Sequence, residues 1–372
     1  MKCLHILPMN KLSGAERMAL VLCKNLKKYE PIVVCGGKTL EKVFSDNGIK
    51  SYTCTFSNKR MLSTLKELNK IIKENNVKII HAHDNNASVN AYLVKKMYKL
   101  DVKIISHIHN CYQFLKENGV KKYIDKILRP KYDYNIACGK LVYDFYKENT
   151  SYFQEGKTSI LSNAIDIEEI TKGTFSDNKE GIEEFNIPKD KVILGFIGRL
   201  DEQKGLIPFI KEFARHKEKF EDCRVLLVGN GAQENEIKKL IYELGLQEVF
   251  VLVGFQNNTY KFYPIIDILF LPSLYEGLPM VLLEAMAFKK TIVSMDVGSI
   301  NEIIIDNKTG ILIEEGNYTE FVKVLNKLKS KEIKRKELSY NAFKYVSSNY
   351  DIKWYKEAIE KIYDNQIYNK VI

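Results

Sequence analysis

Short apolar runs of strand length alternate with longer stretches of helical period along nearly the whole chain, and that rhythm admits few folds. In the first half the runs are residues 3–7, 31–35, 77–81, 103–107, 134–137 and 159–161, with amphipathic stretches such as 15–28, 62–74 and 88–98 between them. In the second half they are 192–197, 224–228, 249–253, 268–271, 291–293 and 310–313. Runs without polar alternation suit strands buried on both faces, and strands joined through helices pair in parallel. The series occurs twice, so two doubly wound, Rossmann-like α/β domains facing a central cleft are expected. Residues 1–170 form the first and 191–350 the second, with the polar, turn-rich stretch 171–190 as linker.

Composition agrees with that reading. At 372 residues the chain exceeds the ~250–300 at which one core stops growing. Its 45% hydrophobic content excludes a disordered or collagen-like protein. No apolar run approaches the ~18 residues of a membrane helix, and the first eleven residues read as a strand rather than a signal peptide. Seven scattered cysteines without a C-x-x-C pair suggest buried small side chains in a cytoplasmic protein, not a disulfide or zinc framework. The net charge of +10 is one-sided: residues 1–180 carry 30 Lys and Arg against 19 Asp and Glu, and the remainder 27 against 28. A basic first half suits an anionic lipid surface, a nucleic acid or a phosphorylated substrate, and equally a solvated lysine-rich surface.

In open α/β sheets ligands bind beyond the carboxyl ends of strands, so the loops there are where chemistry is sought. The strongest is PSLYEGLPMVLLEAMA, residues 272–287. It carries Glu276 and Gly277 in a short loop and places Pro279 where a helix can start without a lost N–H. Glu284 follows within the helix, whose N-terminus, near Leu278 and Met280, suits a phosphate. Eight positions separate the two carboxylates, too far for a glycosidase pair; they suit two ends of one extended ligand. In FIGRLDEQKG, residues 196–205, Arg199 and Lys204 leave a strand end together and can neutralise a diphosphate. No D-x-D sequence occurs, which disfavours a metal-assisted departure and leaves no cofactor expected.

The E-x7-E arrangement resembles the signature of retaining glycosyltransferases of family 4, the glycosyltransferases group 1, with the GT-B fold; the resemblance covers nearly the whole chain and includes capsule and exopolysaccharide members. It implies that Glu276 contacts donor-sugar hydroxyls with backbone amides at Gly277 and Leu278, that Glu284 binds the ribose, and that Arg199 and Lys204 hold the leaving diphosphate. The V-G-N-G turn bearing Gly229 and the segment around Phe255 match positions lining the nucleotide. Ser13-Gly14-Ala15-Glu16 resembles the family's G-G-A-E loop near the donor phosphate, with Ser13 in place of the first glycine. His109 matches a histidine beside the donor sugar, and residues 351–372 a helix crossing back to the N-terminal domain. The resemblance thus implies transfer, without a metal ion, from a nucleotide sugar, UDP-linked by expectation, to a lipid-linked oligosaccharide or glycan docked on the basic N-terminal domain. A UDP-sugar epimerase of the same architecture and a non-catalytic nucleotide-sugar or membrane-surface binding protein remain as alternatives.

Five of the six histidines fall in the first half, including His81 and His83, and His107 and His109. Period-two spacing puts each pair on one sheet face, but without a third ligand at a recognisable spacing no metal site is expected. Around residues 112–134, Lys121, Lys122, Lys126 and Arg129 interleave with aromatic and aliphatic residues. That mixture suits an interfacial helix on the inner face of a plasma membrane, or equally a core-packed helix with a basic outer face. No nucleic-acid recognition motif accompanies the charge.

Overall fold

The computed structural model describes residues 1–117, 119–173, 185, 187–188, 190–256 and 258–368. The chain divides into two units, Met1–Ala164 with Ile352–Ile372, and Ile165–Asp351. The first contains seven strands, β1 (Lys2–Leu7), β2 (Glu30–Cys35), β3 (Lys50–Thr53), β4 (Val77–His83), β5 (Lys103–Ile108), β6 (Tyr134–Ala137) and β7 (Thr158–Ile160). They lie in the order β3-β2-β1-β4-β5-β6-β7, every pairing parallel. The second contains β8 (Val192–Ile197), β9 (Cys223–Val228), β10 (Phe250–Gly254), β11 (Ile268–Leu271), β12 (Thr291–Met295) and β13 (Ile311–Ile313). Their order is β10-β9-β8-β11-β12-β13, again parallel throughout.

Strand order reverses between β1 and β4 in one sheet and between β8 and β11 in the other. At such a point neighbouring loops leave in opposite directions and open a crevice at the strands' carboxyl ends. The alternation of apolar runs accounts for both sheets except β3, a sheet-edge strand whose four residues are all at least half-exposed or intermediate and so carry no apolar run. β4 also extends past its apolar run, which ends at His81, through Ala82 and His83, all three buried.

Helix Ile352–Tyr368 belongs to the first unit, where Tyr355, Ile359, Ile362 and Tyr363 are buried and Trp354 is exposed. Its Asp364 accepts from the Tyr29 hydroxyl at 2.6 Å, and Glu360 accepts the backbone N–H groups of Lys27 and Lys28. The units divide at Ala164/Ile165, ahead of the expected boundary at 170, because Ile165 bridges to Asp351 and helix Ile167–Lys172 packs in the second unit. Of the expected linker 171–190, residues 174–184, 186 and 189 lie outside the described residues.

Helix Val120–Leu128 is amphipathic in the opposite sense to a core helix. Val120, Tyr123, Ile124 and Ile127, one stripe at i, i+3, i+4 and i+7, face solvent, with Val120 75% and Tyr123 65% exposed. Its Asp125 is buried instead. Lys121 and Lys126 are exposed and Lys122 half-exposed beside the apolar stripe. Arg129, expected on that basic face, is corrected: it is buried, with its guanidinium forked onto Asp125 at 2.7–3.1 Å and further bonded to Asn85 and Asn135. A planar group with five donors can satisfy such a pocket, which a lysine could not.

Arg129→Met should strip Asp125 of its cationic partner and cost about 3–5 kcal/mol, whereas Arg129→Met with Asp125→Leu should recover most of the loss. Thermal unfolding followed by circular dichroism reads both. Equal losses in the single and double variants would contradict the pairing.

Candidate functional site

At the β8/β11 reversal, the loops that follow these strands meet. Lys204, from the loop after β8, donates to Glu276 Oε1 at 2.6 Å, and Glu276 comes from the loop after β11. The two side chains are only 12% and 5% exposed. Ser273 donates its hydroxyl to the same carboxylate oxygen at 2.6 Å. Backbone joins the loops as well: Leu274 N–H donates to the Gln203 carbonyl at 2.8 Å, and the Gln203 amide reaches the Tyr275 carbonyl at 2.9 Å.

Two glycines make the approach possible. At Gly205, φ +63°, a β-carbon would lie 2.1 Å from the Pro272 carbonyl oxygen. At Gly298, φ +61°, after β12, it would lie 1.8 Å from that of Glu276. Both positions need left-handed backbone and no side chain.

Arg199 stands on the same loop as Lys204 with its side chain 66% exposed, paired with Asp201 and accepted by Gln203. The site therefore holds one buried, balanced cation and one that reaches into solvent. Gly229, after β9, joins the Gly254 carbonyl through its N–H at 2.9 Å, and Phe255 follows Gly254 with its ring exposed. Gly277 is half-buried, and Leu278 and Met280 turn their side chains inward, which leaves their backbone as the part a ligand can meet. Pro279 takes the capping position and helix Met280–Ala287 begins one residue later. Glu284 is not an exposed helix residue: it is buried and accepts the Tyr263 hydroxyl. Tyr263 and Ser273, which hold the two carboxylates, escape sequence reasoning; only Ser273, three residues before Glu276, offers a local signal.

The β1/β4 reversal in the first unit has a different lining. His5 of β1, His81 and His83 of β4, His107 of β5 and His109 just beyond it form one stack of rings. Ring nitrogens meet at 3.0 Å between His5 and His83, 3.1 Å between His83 and His109, and 3.1 Å between His81 and His107. Tyr363 completes the row on His81 at 2.7 Å. Burial pushes His109 down to about 4 and His5 to about 3, and drives the three between them well below the ordinary imidazole value. At neutral pH the stack is uncharged, so His109 is a hydrogen-bonding group there and not a cationic acid. Gly14, in the loop after β1, opens helix Gly14–Asn25 and is exposed. There the Ser13 N–H donates to Glu16 at 3.2 Å in a capping box.

Residues 177–345 match the family described as Glycosyl transferases group 1, and residues 12–169 that described as Glycosyltransferase Family 4. An uncharacterised glycosyltransferase of Methanocaldococcus jannaschii is 30% identical over 285 residues, 73% of this chain and 68% of that one. A UDP-Gal:α-D-GlcNAc-diphosphoundecaprenol α-1,3-galactosyltransferase of Escherichia coli is 21% identical over 99% of this chain and 98% of its own. In fold, the chain resembles HepE of Anabaena, solved with UDP-glucose, at a TM-score of 0.84 and 18% identity over 98% of this chain and 100% of that one.

Gly298→Ala should drive the Glu276 loop away and lower the melting temperature well beyond Gly316→Ala. Gly316 also has positive φ (+76°) but open space around it, so its substitution carries only the backbone strain of about 1–3 kcal/mol. Equal shifts in the two variants would mean that the loop contact contributes nothing.

Proposed function

The chain belongs to the glycosyltransferases of group 1 and family 4, and from that premise we propose that it moves a sugar from a UDP-sugar to a hydroxyl of a lipid-linked glycan, with retention and without a metal ion. The observation that carries the reading is the Lys204–Glu276 pair at the β8/β11 reversal, with Arg199 exposed on the same loop. A buried lysine held by a carboxylate is a positioned cation, and cations aimed at a departing group need no reorganisation as charge develops. Two cations suit a diphosphate, and a carboxylate beside them suits sugar hydroxyls. The diphosphate linkage and the lipid-linked acceptor are named for the Escherichia coli relative, and UDP-glucose occupies the Anabaena protein.

In this reading Arg199 and Lys204 hold the diphosphate, Glu276 and the amides of Gly277, Leu278 and Met280 hold the sugar, and Glu284 lies toward the ribose. Gly229 and Phe255 flank the nucleotide. The bond from the anomeric carbon to the diphosphate oxygen breaks, and that oxygen keeps the electron pair. The acceptor hydroxyl adds to the same face of the sugar and passes its proton to the departing phosphate oxygen. Removing one group that stabilises developing charge costs about 2.7–4 kcal/mol, or 10²–10³ in turnover.

The acceptor's lipid gives the stripe on helix Val120–Leu128 a use. Four exposed apolar side chains flanked by Lys121, Lys122 and Lys126 fit the boundary of an anionic bilayer, where each lysine is worth about 1 kcal/mol. No helix among the described residues is long and apolar enough to cross the membrane.

UDP release from a panel of UDP-sugars, with membrane extract as acceptor, tests the reaction. Glu276→Gln should lower turnover about 10²–10³-fold while circular dichroism stays unchanged, and EDTA should leave the wild-type rate intact. Wild-type turnover in the variant would remove Glu276 from the sugar, and loss of activity in EDTA restored by Mg²⁺ would end the metal-free account. For the membrane surface, sedimentation with phosphatidylglycerol vesicles should fall at least tenfold when Lys121, Lys122 and Lys126 become Glu. Unchanged sedimentation would return that helix to an ordinary exposed surface.

A further inference from the structure

We propose that His83, His107 and His109 form a binding site for one transition-metal ion of the zinc class, entered from the His109 side. Each offers a ring nitrogen within 4.8 Å of the other two. Three imidazole nitrogens at ~2.0–2.1 Å from a tetrahedral ion lie roughly 3.4 Å apart, so the stacked His107 and His109 rings, with centroids 3.9 Å apart, turn their nitrogens toward one point to bind it. The register explains the convergence. His83 pairs directly with His107 across β4 and β5, and His109 follows two residues on, at the strand's end. A third ligand with no recognisable spacing in the sequence is thus supplied by the neighbouring strand.

Hydrogen bonding points the same way. His107 Nε2 is buried and has no hydrogen-bond partner among the described residues, while its Nδ1 meets His81 Nε2. If His107 donates from Nδ1, His81 donates in turn to the Tyr363 hydroxyl, and the Nε2 lone pair is left for an ion. The second row runs alike. His83 Nε2 meets His5 Nδ1, and His5 Nε2 lies 3.6 Å from Cys3 Sγ. Protons passed down that row leave the His83 Nδ1 lone pair to accept the His109 Nε2–H at 3.1 Å, a bond that an ion replaces once His109 carries its proton on Nδ1. Two chains of neutral donors therefore run back from one point and orient its ligands, as the outer partners of metal-bound histidines do. The deeper trio of His5, His81 and His83 has the same spacing but is wholly buried, whereas His109 is only partly buried.

The site is read by ion binding alone, so its test stands apart from that of the transfer reaction. The full chain, free of any affinity tag and stripped with chelator, is titrated with Zn²⁺ against a chromogenic chelator and separately with Co²⁺. One equivalent of Zn²⁺ should bind, with visible Co²⁺ bands of a four-coordinate nitrogen site and a rise in melting temperature on adding Zn²⁺. His107→Gln with His109→Gln should weaken binding at least tenfold and abolish the rise, whereas His216→Gln, in the second unit, should change neither. Should the double variant fail to fold, His109→Gln alone, at the half-exposed position, serves with the same expectation. Less than a tenth of an equivalent bound to wild type, or unchanged affinity in the folded variant, overturns the site.

Discussion

Lys204 and Glu276 arrive from either side of a reversal in strand order and neutralise each other almost out of water. Burying either ion alone would cost several kcal/mol, so each side chain requires the other's loop to be in place. Ser273 adds a donor to the carboxylate, and the backbone bond from Leu274 to Gln203 ties the two loops together. Glycines at 205 and 298 let main chain touch main chain where any side chain would intervene. In the proposed reaction, a donor phosphate drawn to Lys204 would meet an ammonium whose position is already set. Little ordering entropy remains to oppose binding at that atom, which is the physical content of preorganisation.

The two units use one topology for different ends. In the second, the crevice at the reversal carries charge: a paired lysine, an exposed arginine and a buried glutamate. In the first it carries five imidazoles, held neutral by burial and joined in hydrogen-bonded rows that end at Tyr363 and Cys3. Tyr363 comes from the terminal helix and ends the row of His107 and His81, while the other row runs from His109 through His83 and His5 to Cys3 of the first strand. Helix Val120–Leu128 shows a related inversion. Its charged Asp125 is turned inward to Arg129, and its apolar stripe is turned outward. The second is tolerable because the buried carboxylate and guanidinium satisfy each other.

Much of this was legible in the residues. Apolar runs separated by helical stretches identify parallel sheets, and the loops holding Arg199, Lys204 and Glu276 stand out by composition at strand ends. Glu284 was legible as a residue but not in its setting, since nothing local says that Tyr263, 21 positions earlier, bonds to it. Arg129 was misplaced because a basic run reads as one surface, whereas a single turn of helix separates an exposed lysine from a buried guanidinium. β3 escaped because its four residues are exposed or only partly buried, unlike those of the other edge strands, and so show no apolar pattern.

The order and type of elements, the doubling of the sheet and the loops where charge collects follow from the chain alone, because strand and helix periodicity and turn chemistry act over a few residues. Which loops meet does not follow. Lys204 and Glu276 are 72 positions apart and His83 and His107 are 24, and only parallel pairing in a particular strand order and register brings each pair together. Proximity of that kind is a property of the sheet, so no local stretch of sequence encodes it.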